Sequence, residues 1–352
     1  MKEKATSSLV KAKPAGRKGE RKPGPEVVLV FRKPLPSTHS IEYLFHNIYE
    51  VLRERSAVRE WELPCFSTGL LNRVRNLFSL FRFRNKIIHI TGDCYYAVLG
   101  AWFCKRILTV HDLSFLDRTT GWRRAVLRLF WVRLPVRFAH KVTVVSLATQ
   151  NVLLRETKAL PRKVRVITNF IDPVYQPVTR TFNARCPRIL QVGTAFNKNI
   201  PLLAKALEGM DCTLMIIGRL SRQQEEALLT CGIRYQNRCS LPLSELHREY
   251  LAADLLAFVS TVEGFGMPIL EAQATGLPVV TSNCSSMPEV AGKGALFVDP
   301  FDPASIRRGF LEIIADGQKR EQLVCEGLLN VQRFSKQKIA EDYRALYQSF
   351  FT

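Results

Sequence analysis

Twice along this chain short apolar runs alternate with helical stretches, and that alternation restricts the fold more than any other feature. In the first half the strand-like runs are Val27–Phe31, Lys86–Ile90, Arg106–Val110, Lys141–Val145 and Val164–Thr168. After the first of them, Ser40 can cap a helix that carries Ile41, Leu44, Phe45, Ile48 and Leu52 at helical spacing. In the second half the runs are Arg188–Val192, Thr213–Ile217, Ile233–Gln236, Leu255–Val259, Val279–Thr281 and Leu296–Val298. The best-defined helix there is Leu243–Ala253, and others follow Lys198 and begin near Pro268 and Pro303. Strands separated by helices pair in parallel and bury both faces of the sheet. The fold class is therefore α/β, with two doubly wound, Rossmann-like domains facing across a cleft and ligands at the carboxyl ends of the strands.

A length of 352 residues calls for two domains, because single cores stop growing near that size. The stretch Ile171–Pro187 holds Pro173, Pro177 and Pro187 with little periodicity and reads as the linker. The expected divisions are a disordered basic tail over 1–25, an N-terminal Rossmann-like domain over 26–180 and a C-terminal Rossmann-like domain over 181–336. A final helix over 337–352 is expected to return to the first domain. Nine scattered cysteines without a C-x-x-C pair suggest neither a disulfide framework nor a zinc site, which fits a reducing compartment. No apolar run approaches the length of a spanning helix and the N-terminus lacks a signal-peptide pattern, so a cytoplasmic protein is expected.

One segment carries the chemistry: Ser260-Thr-Val-Glu263-Gly-Phe-Gly266-Met-Pro268-Ile-Leu-Glu271-Ala-Gln-Ala-Thr-Gly276. It follows a strand and opens a helix, with Pro268 suited to the first turn and Gly276 to the residue past the end. Glu263 then sits at the strand's carboxyl end and Glu271 about one turn into the helix. Backbone N–H groups of the Gly264–Met267 loop and the helix N-terminus suit a pyrophosphate, while the two carboxylates suit hydroxyls. Phosphate and polyol recognition would thus lie side by side. For an isolated E-x7-E spacing, two solvated helix-end glutamates would be the better reading.

The spacing is not isolated. Glu263-Gly-Phe-Gly-Met-Pro-Ile-Leu-Glu271, Ser285-Ser-Met-Pro-Glu289-Val, Val298-Asp-Pro300, Val192-Gly193-Thr194 with Lys198-Asn199, and Gly218 together closely resemble the family-4 (group 1) retaining glycosyltransferases of the GT-B fold. The resemblance runs over about residues 86–350. It implies that Glu263 contacts the donor sugar, that the backbone of Gly264, Phe265, Gly266 and Met267 contacts sugar and phosphate, and that Glu271 holds the ribose. Gly193 and Thr194 would line the donor site, and Lys198 would neutralise the diphosphate. His111, in Thr109-Val-His111-Asp112-Leu-Ser-Phe115, would lie near the sugar hydroxyls as a catalytic residue with Lys198 and Glu263. A hydrogen-bonded structural histidine is the plainer alternative, and Ser146 is a lesser candidate.

No Asp-x-Asp triplet occurs in the chain, so no metal and no cofactor is expected beyond the nucleotide-diphosphate sugar donor. The acceptor implied is a glycan or lipid-linked saccharide of the bacterial envelope. Three features depart from the family pattern: Lys33-Pro-Leu-Pro-Ser37-Thr-His39-Ser40 replaces a glycine-rich loop, Asn169-Phe170 replaces an Asn-Gly pair, and Thr194 and Asn197 stand where an arginine often assists the lysine.

Charge is one-sided. Residues 1–180 hold 33 Lys and Arg against 13 Asp and Glu, whereas residues 181–352 hold 18 of each. Leu70, Leu71, Val74, Leu77, Phe78 and Phe81 share a helical face near Arg73, Arg75 and Arg82, and Trp122–Arg133 repeats the mixture. Such segments either lie on an anionic membrane surface or pack on their own domain with solvated arginines. Other readings left open are a non-catalytic nucleotide-sugar binder, another GT-B activity, and a nucleic-acid-binding protein. The last is disfavoured because the clearest motif lies in the uncharged half, so no nucleic acid partner is expected.

Overall fold

A computed structural model describes residues 26–33, 40–116 and 119–351. The segment 1–25 and residues 34–39 of the departing loop lie outside the described residues. The first sheet contains β1 (Val27–Phe31), β2 (Val58–Glu62), β3 (Ile87–Ile90), β4 (Lys105–Val110), β5 (Lys141–Val144) and β6 (Val164–Val166), in the order β2-β1-β3-β4-β5-β6. The second contains β7 (Arg188–Val192), β8 (Thr213–Ile217), β9 (Tyr235–Arg238), β10 (Leu255–Phe258), β11 (Val279–Ser282) and β12 (Leu296–Val298), in the order β12-β11-β10-β7-β8-β9. Every pairing is parallel, and helices are interleaved between the strands.

The central strands are fully buried and predominantly apolar, which is why they were visible in the sequence. β2 was not. Its sequence Val-Arg-Glu-Trp-Glu alternates between half-buried and exposed positions at the sheet edge, where charged side chains are tolerated and deter further pairing. β9, at an edge of the second sheet, is also largely exposed, and it lies two residues beyond the expected Ile233–Gln236.

In each sheet the strand order reverses once beside the first strand. That reversal falls between β1 and β3 in one sheet and between β7 and β10 in the other. Connections leave such a pair in opposite directions, so a crevice opens at their carboxyl ends. In the second sheet this crevice lies between the turn at Gly193–Lys198 and the Ser260–Gly266 segment.

Ile171–Pro187 has no regular secondary structure but is firmly packed. Tyr175 is buried, and the Arg180 guanidinium donates to the carbonyls of Leu251, Ala253 and Thr275 at 2.9–3.3 Å. Helix Lys336–Gln348 packs on helix Ser40–Leu52, and Ile339, Tyr343 and Tyr347 share one apolar cluster with Val27, Phe45 and Ile48.

A buried polar chain ties that last helix to the first sheet. His89 on β3 is fully buried, with Nδ1 2.8 Å from the Tyr347 hydroxyl and Nε2 2.7 Å from Thr109 Oγ1, which in turn lies 2.6 Å from Thr143 Oγ1. Burial, with His111 adding to it, pushes the His89 pKa down to about 3, so the ring stays neutral as one donor and one acceptor. The unfolded chain takes up this proton first, near its ordinary value, so the stability from a neutral His89 is full above about pH 6.5 and is lost as pH falls below it. Tyr347→Phe leaves a buried ring nitrogen unmatched and is expected to cost about 1–3 kcal/mol in urea unfolding. The fall in stability from pH 6.5 to 5 should be shallower in His89→Gln than in the native chain, and identical slopes would contradict this role.

Candidate active site

The crevice between β7 and β10 is built around a buried ion pair. β7 ends at Val192, and Gly193 then turns with φ 89°. A Cβ at that position would stand 2.7 Å from Lys198 Cε, so glycine is what lets the lysine lie back across the strand end. The Lys198 amine donates to Glu263 Oε1 at 2.7 Å, and both side chains are largely buried. It also sits 4.3 Å from the Phe258 ring centre. Asn197 donates to the same Oε1 at 3.0 Å and to the Val262 carbonyl at 2.7 Å. This position, where the family pattern often has arginine, therefore holds the partner carboxylate in place. Thr194 donates to the Arg219 carbonyl at 2.7 Å and packs against Gly218, whose φ of 137° lets the next strand end pass close by.

The loop after β10 is fixed from beneath. Ser285 and Ser286 donate to the Glu263 carbonyl at 2.8 and 3.0 Å, and Ser286 reaches the Phe265 carbonyl at 2.7 Å. Phe265 turns its ring into the core, edge-on to Phe334 at 5.8 Å, so only its backbone is offered to the crevice. Gly266, with φ 110°, opens helix Met267–Ala274, Pro268 lies in its first turn, and Gly276 follows it at φ 70°.

Glu271 is half-buried on that helix. Its Oε2 accepts from the Tyr250 hydroxyl at 2.5 Å, and Tyr250 itself is fully buried and edge-on to Tyr175. Burial pushes the Glu271 pKa up to about 7, against the opposing pull of the Tyr250 hydrogen bond and the Lys198 charge. Lys198 thus acts on both carboxylates of the segment. Tyr250, on helix Leu243–Ala252, was not singled out from the sequence, where nothing marks a tyrosine 21 residues away as a partner of Glu271.

The first sheet faces this loop. His111 follows β4 and is buried, its Nε2 2.8 Å from the Thr91 carbonyl. That carbonyl can only accept, so Nε2 carries the proton and Nδ1 is left as an acceptor. Burial lowers the His111 pKa and favours this neutral ring. Contact with the second half runs through the His111 backbone: a Cβ on Gly264 would lie 2.1 Å from the His111 carbonyl oxygen and 2.8 Å from Asp112 Cβ. Ser146 Oγ donates to the Gly264 carbonyl at 2.6 Å and Thr149 Oγ1 reaches it at 3.0 Å. Glu289, quoted in the sequence without a role, accepts from the Leu147 N–H. Among the described residues no group of three or more His, Cys, Asp or Glu side chains gathers as a metal site.

Two family profiles match the chain almost end to end. "Glycosyltransferase Family 4" covers residues 19–175 and "Glycosyl transferases group 1" covers residues 180–327. The chain belongs to the group 1, family 4 glycosyltransferases. Among curated relatives of this glycosyltransferase chain, the O-antigen chain mannosyltransferase B of Escherichia coli is 41% identical over 95 residues, 27% of this chain and 25% of that protein. The MMP alpha-(1->4)-mannosyltransferase of Mycolicibacterium hassiacum is 26% identical over 69% of this chain and 64% of that protein. The first of these matches therefore spans only about a quarter of its relative's length. The solved structure of Anabaena HepE in complex with UDP and glucose superposes with a TM-score of 0.75 at 16% identity, over 92% of this chain and 100% of that one. The fold is GT-B.

Because the nearest obstacle to a side chain at Gly264 is backbone from the other half, Gly264→Ala is expected to drive the two halves apart while each core stays folded. Small-angle scattering should show a larger radius of gyration than the native chain, and an unchanged profile would refute the contact.

Proposed function

We propose that this glycosyltransferase moves a sugar from a nucleotide-diphosphate donor to a glycan or lipid-linked saccharide, with retention, in the building of a bacterial envelope polysaccharide. The observation that carries the reading is the Lys198–Glu263 pair, held by Asn197 at the reversal of strand order and flanked by a helix N-terminus and Glu271. In this reading Lys198, the Gly264–Met267 backbone and the turn at Gly193 and Thr194 take the diphosphate, Glu263 the sugar hydroxyls and Glu271 the ribose. His111 accepts a sugar hydroxyl at Nδ1. The names of the relatives make a nucleotide-linked mannose the first donor to test.

The step needs no redox partner. The bond from the anomeric carbon to the diphosphate breaks, an acceptor hydroxyl oxygen bonds to that carbon on the same face, and its proton passes to the departing phosphate oxygen. Lys198 and the loop N–H groups stabilise the negative charge that develops on the diphosphate.

A thermal-shift screen against nucleotide diphosphates and their sugars tests this directly. A donor at 100 times its dissociation constant should add about 2.7 kcal/mol of stability, and Glu271→Ala should abolish the effect. Because Glu271 titrates at about 7 and binds hydroxyls best as a carboxylate, donor affinity should rise as pH increases through that value. Absence of a response to every donor would remove the reading.

The reading extends to where the reaction takes place. Among the described residues no helix is long and apolar enough to cross a membrane. The face at Leu70, Leu71, Phe78 and Phe81 is exposed, and helix Leu70–Ser79 turns buried Asn76 inward instead. Phe78, Phe81 and Phe103 form a chain of rings at 5.6 and 6.4 Å, with the Arg84 guanidinium 4.5 Å from the Phe103 centre. Trp122, Leu129 and Phe130 are exposed as well. These features support docking on an anionic bilayer, with arginines at headgroups and rings at the acyl boundary. Vesicles with about 30% anionic lipid should retain the protein, neutral vesicles should not, and paired Phe78→Ala and Trp122→Ala changes should weaken retention about tenfold. Equal retention by both vesicle types would overturn the docking.

A further inference from the structure

Ser146 and the Glu289 motif both face the other half of the molecule. Helix Leu147–Thr157 of the first half begins at Ser146, whose hydroxyl caps it by accepting from the Thr149 N–H at 3.0 Å. The Leu147 N–H donates to both oxygens of Glu289, at 3.0 and 2.8 Å. A carboxylate at this position is favoured by the positive end of the helix. The hydroxyls of Ser146 and Thr149 then converge on a single acceptor, the Gly264 carbonyl.

Three consecutive carbonyls of the loop after β10 are therefore held by hydroxyls, but from different halves of the molecule. Those of Glu263 and Phe265 are held by Ser285 and Ser286 within the second half, and that of Gly264 is held by Ser146 and Thr149 from the first. A trans peptide is planar, so each carbonyl points opposite to the N–H of the following residue. Fixing the Gly264 carbonyl fixes the direction of the Phe265 N–H.

We infer that Thr149, Ser146 and Glu289 are positioning residues through which the first half aims the Phe265 N–H into the crevice, so that the loop is correctly set only when the two halves are closed on each other. This rests on the reading of the loop as the donor-phosphate contact. Glu289 anchors the helix end, and Thr149 and Ser146 orient the peptide. Donor capture by Lys198, Glu263 and Glu271 lies within the second half and rests mainly on those side chains, whereas turnover draws on the Phe265 N–H for the charge that develops on the diphosphate.

The test uses the full chain with Thr149→Val, which keeps shape and leaves the Ser146 cap intact, together with Glu289→Ala and Glu289→Gln. Donor dissociation constants measured by calorimetry should stay within about threefold of native while kcat falls about tenfold or more in Thr149→Val and Glu289→Ala. Glu289→Gln, which still accepts from the Leu147 N–H, should recover a substantial part of the loss. A purely structural role would lower the folded fraction and leave kcat per folded molecule unchanged, and that outcome overturns the inference. So does a kcat within about twofold of native in both variants. Hydrogen exchange without any donor separates this inference from the donor reading: exchange at the Leu147 N–H, which loses its acceptor, should accelerate in Glu289→Ala and return towards native in Glu289→Gln. Unchanged exchange overturns it even if no donor is ever found, and a failed donor screen with accelerated exchange removes the donor reading alone.

Discussion

The Lys198–Glu263 ion pair sets the terms for everything around it. Removing two charges from water is costly, and their mutual attraction offsets this only when further hydrogen bonds complete the arrangement. Asn197 supplies one such bond to the carboxylate, and Phe258 lends its ring face to the ammonium. The glycine at 193 exists to let the lysine lie over the strand end, and the serines at 285 and 286 hold the loop that carries the glutamate. A pair held this firmly is preorganised: its charges stand in place before any phosphate or hydroxyl arrives, which is where enzymes gain most of their electrostatic advantage.

The second carboxylate is tuned by burial. Glu263 is held beside a cation, whereas Glu271 is raised to about 7 by burial next to two tyrosines. Two glutamates eight positions apart thus differ in character because one faces the amine directly and the other faces aromatic rings. The first half contributes differently again. Its His111 ring is committed to Thr91 on one side, its His111 carbonyl abuts Gly264, and its helix end meets Glu289. Most of what passes between the halves at this point is backbone, which makes the fit unforgiving of added atoms.

The excess positive charge and most of the exposed rings lie on the first half. The helix at Leu70–Ser79 divides its apolar residues, with Asn76 buried and Leu77 packed against the core while Leu70, Leu71 and Phe78 face outward. Asn76 is satisfied by the backbone of Cys65 and the Tyr96 hydroxyl, so the inward polar group is fully accommodated and the outward rings are left to the surface. Periodicity could not distinguish the two orientations, because an amphipathic pattern specifies a face without saying what the face meets.

The sequence by itself determined the parallel α/β architecture, since buried central strands are predominantly apolar and their spacing leaves room only for helices between them. It also marked Gly193 and Lys198 through the family resemblance, and Glu263, Gly266 and Glu271 through a strand-to-helix segment whose turn residues stand at fixed local offsets. It missed β2, a charged edge strand paired with β1 alone, and it misplaced β9, at an edge of the second sheet, by two residues. Only the tertiary structure decided that Asn197 would steady Glu263, that Tyr250 would meet Glu271, and that Thr149 and Glu289 would bridge the halves. All four contacts join residues at least 21 positions apart in the chain and depend on distances of about 3 Å, a precision that packing provides and no local pattern records.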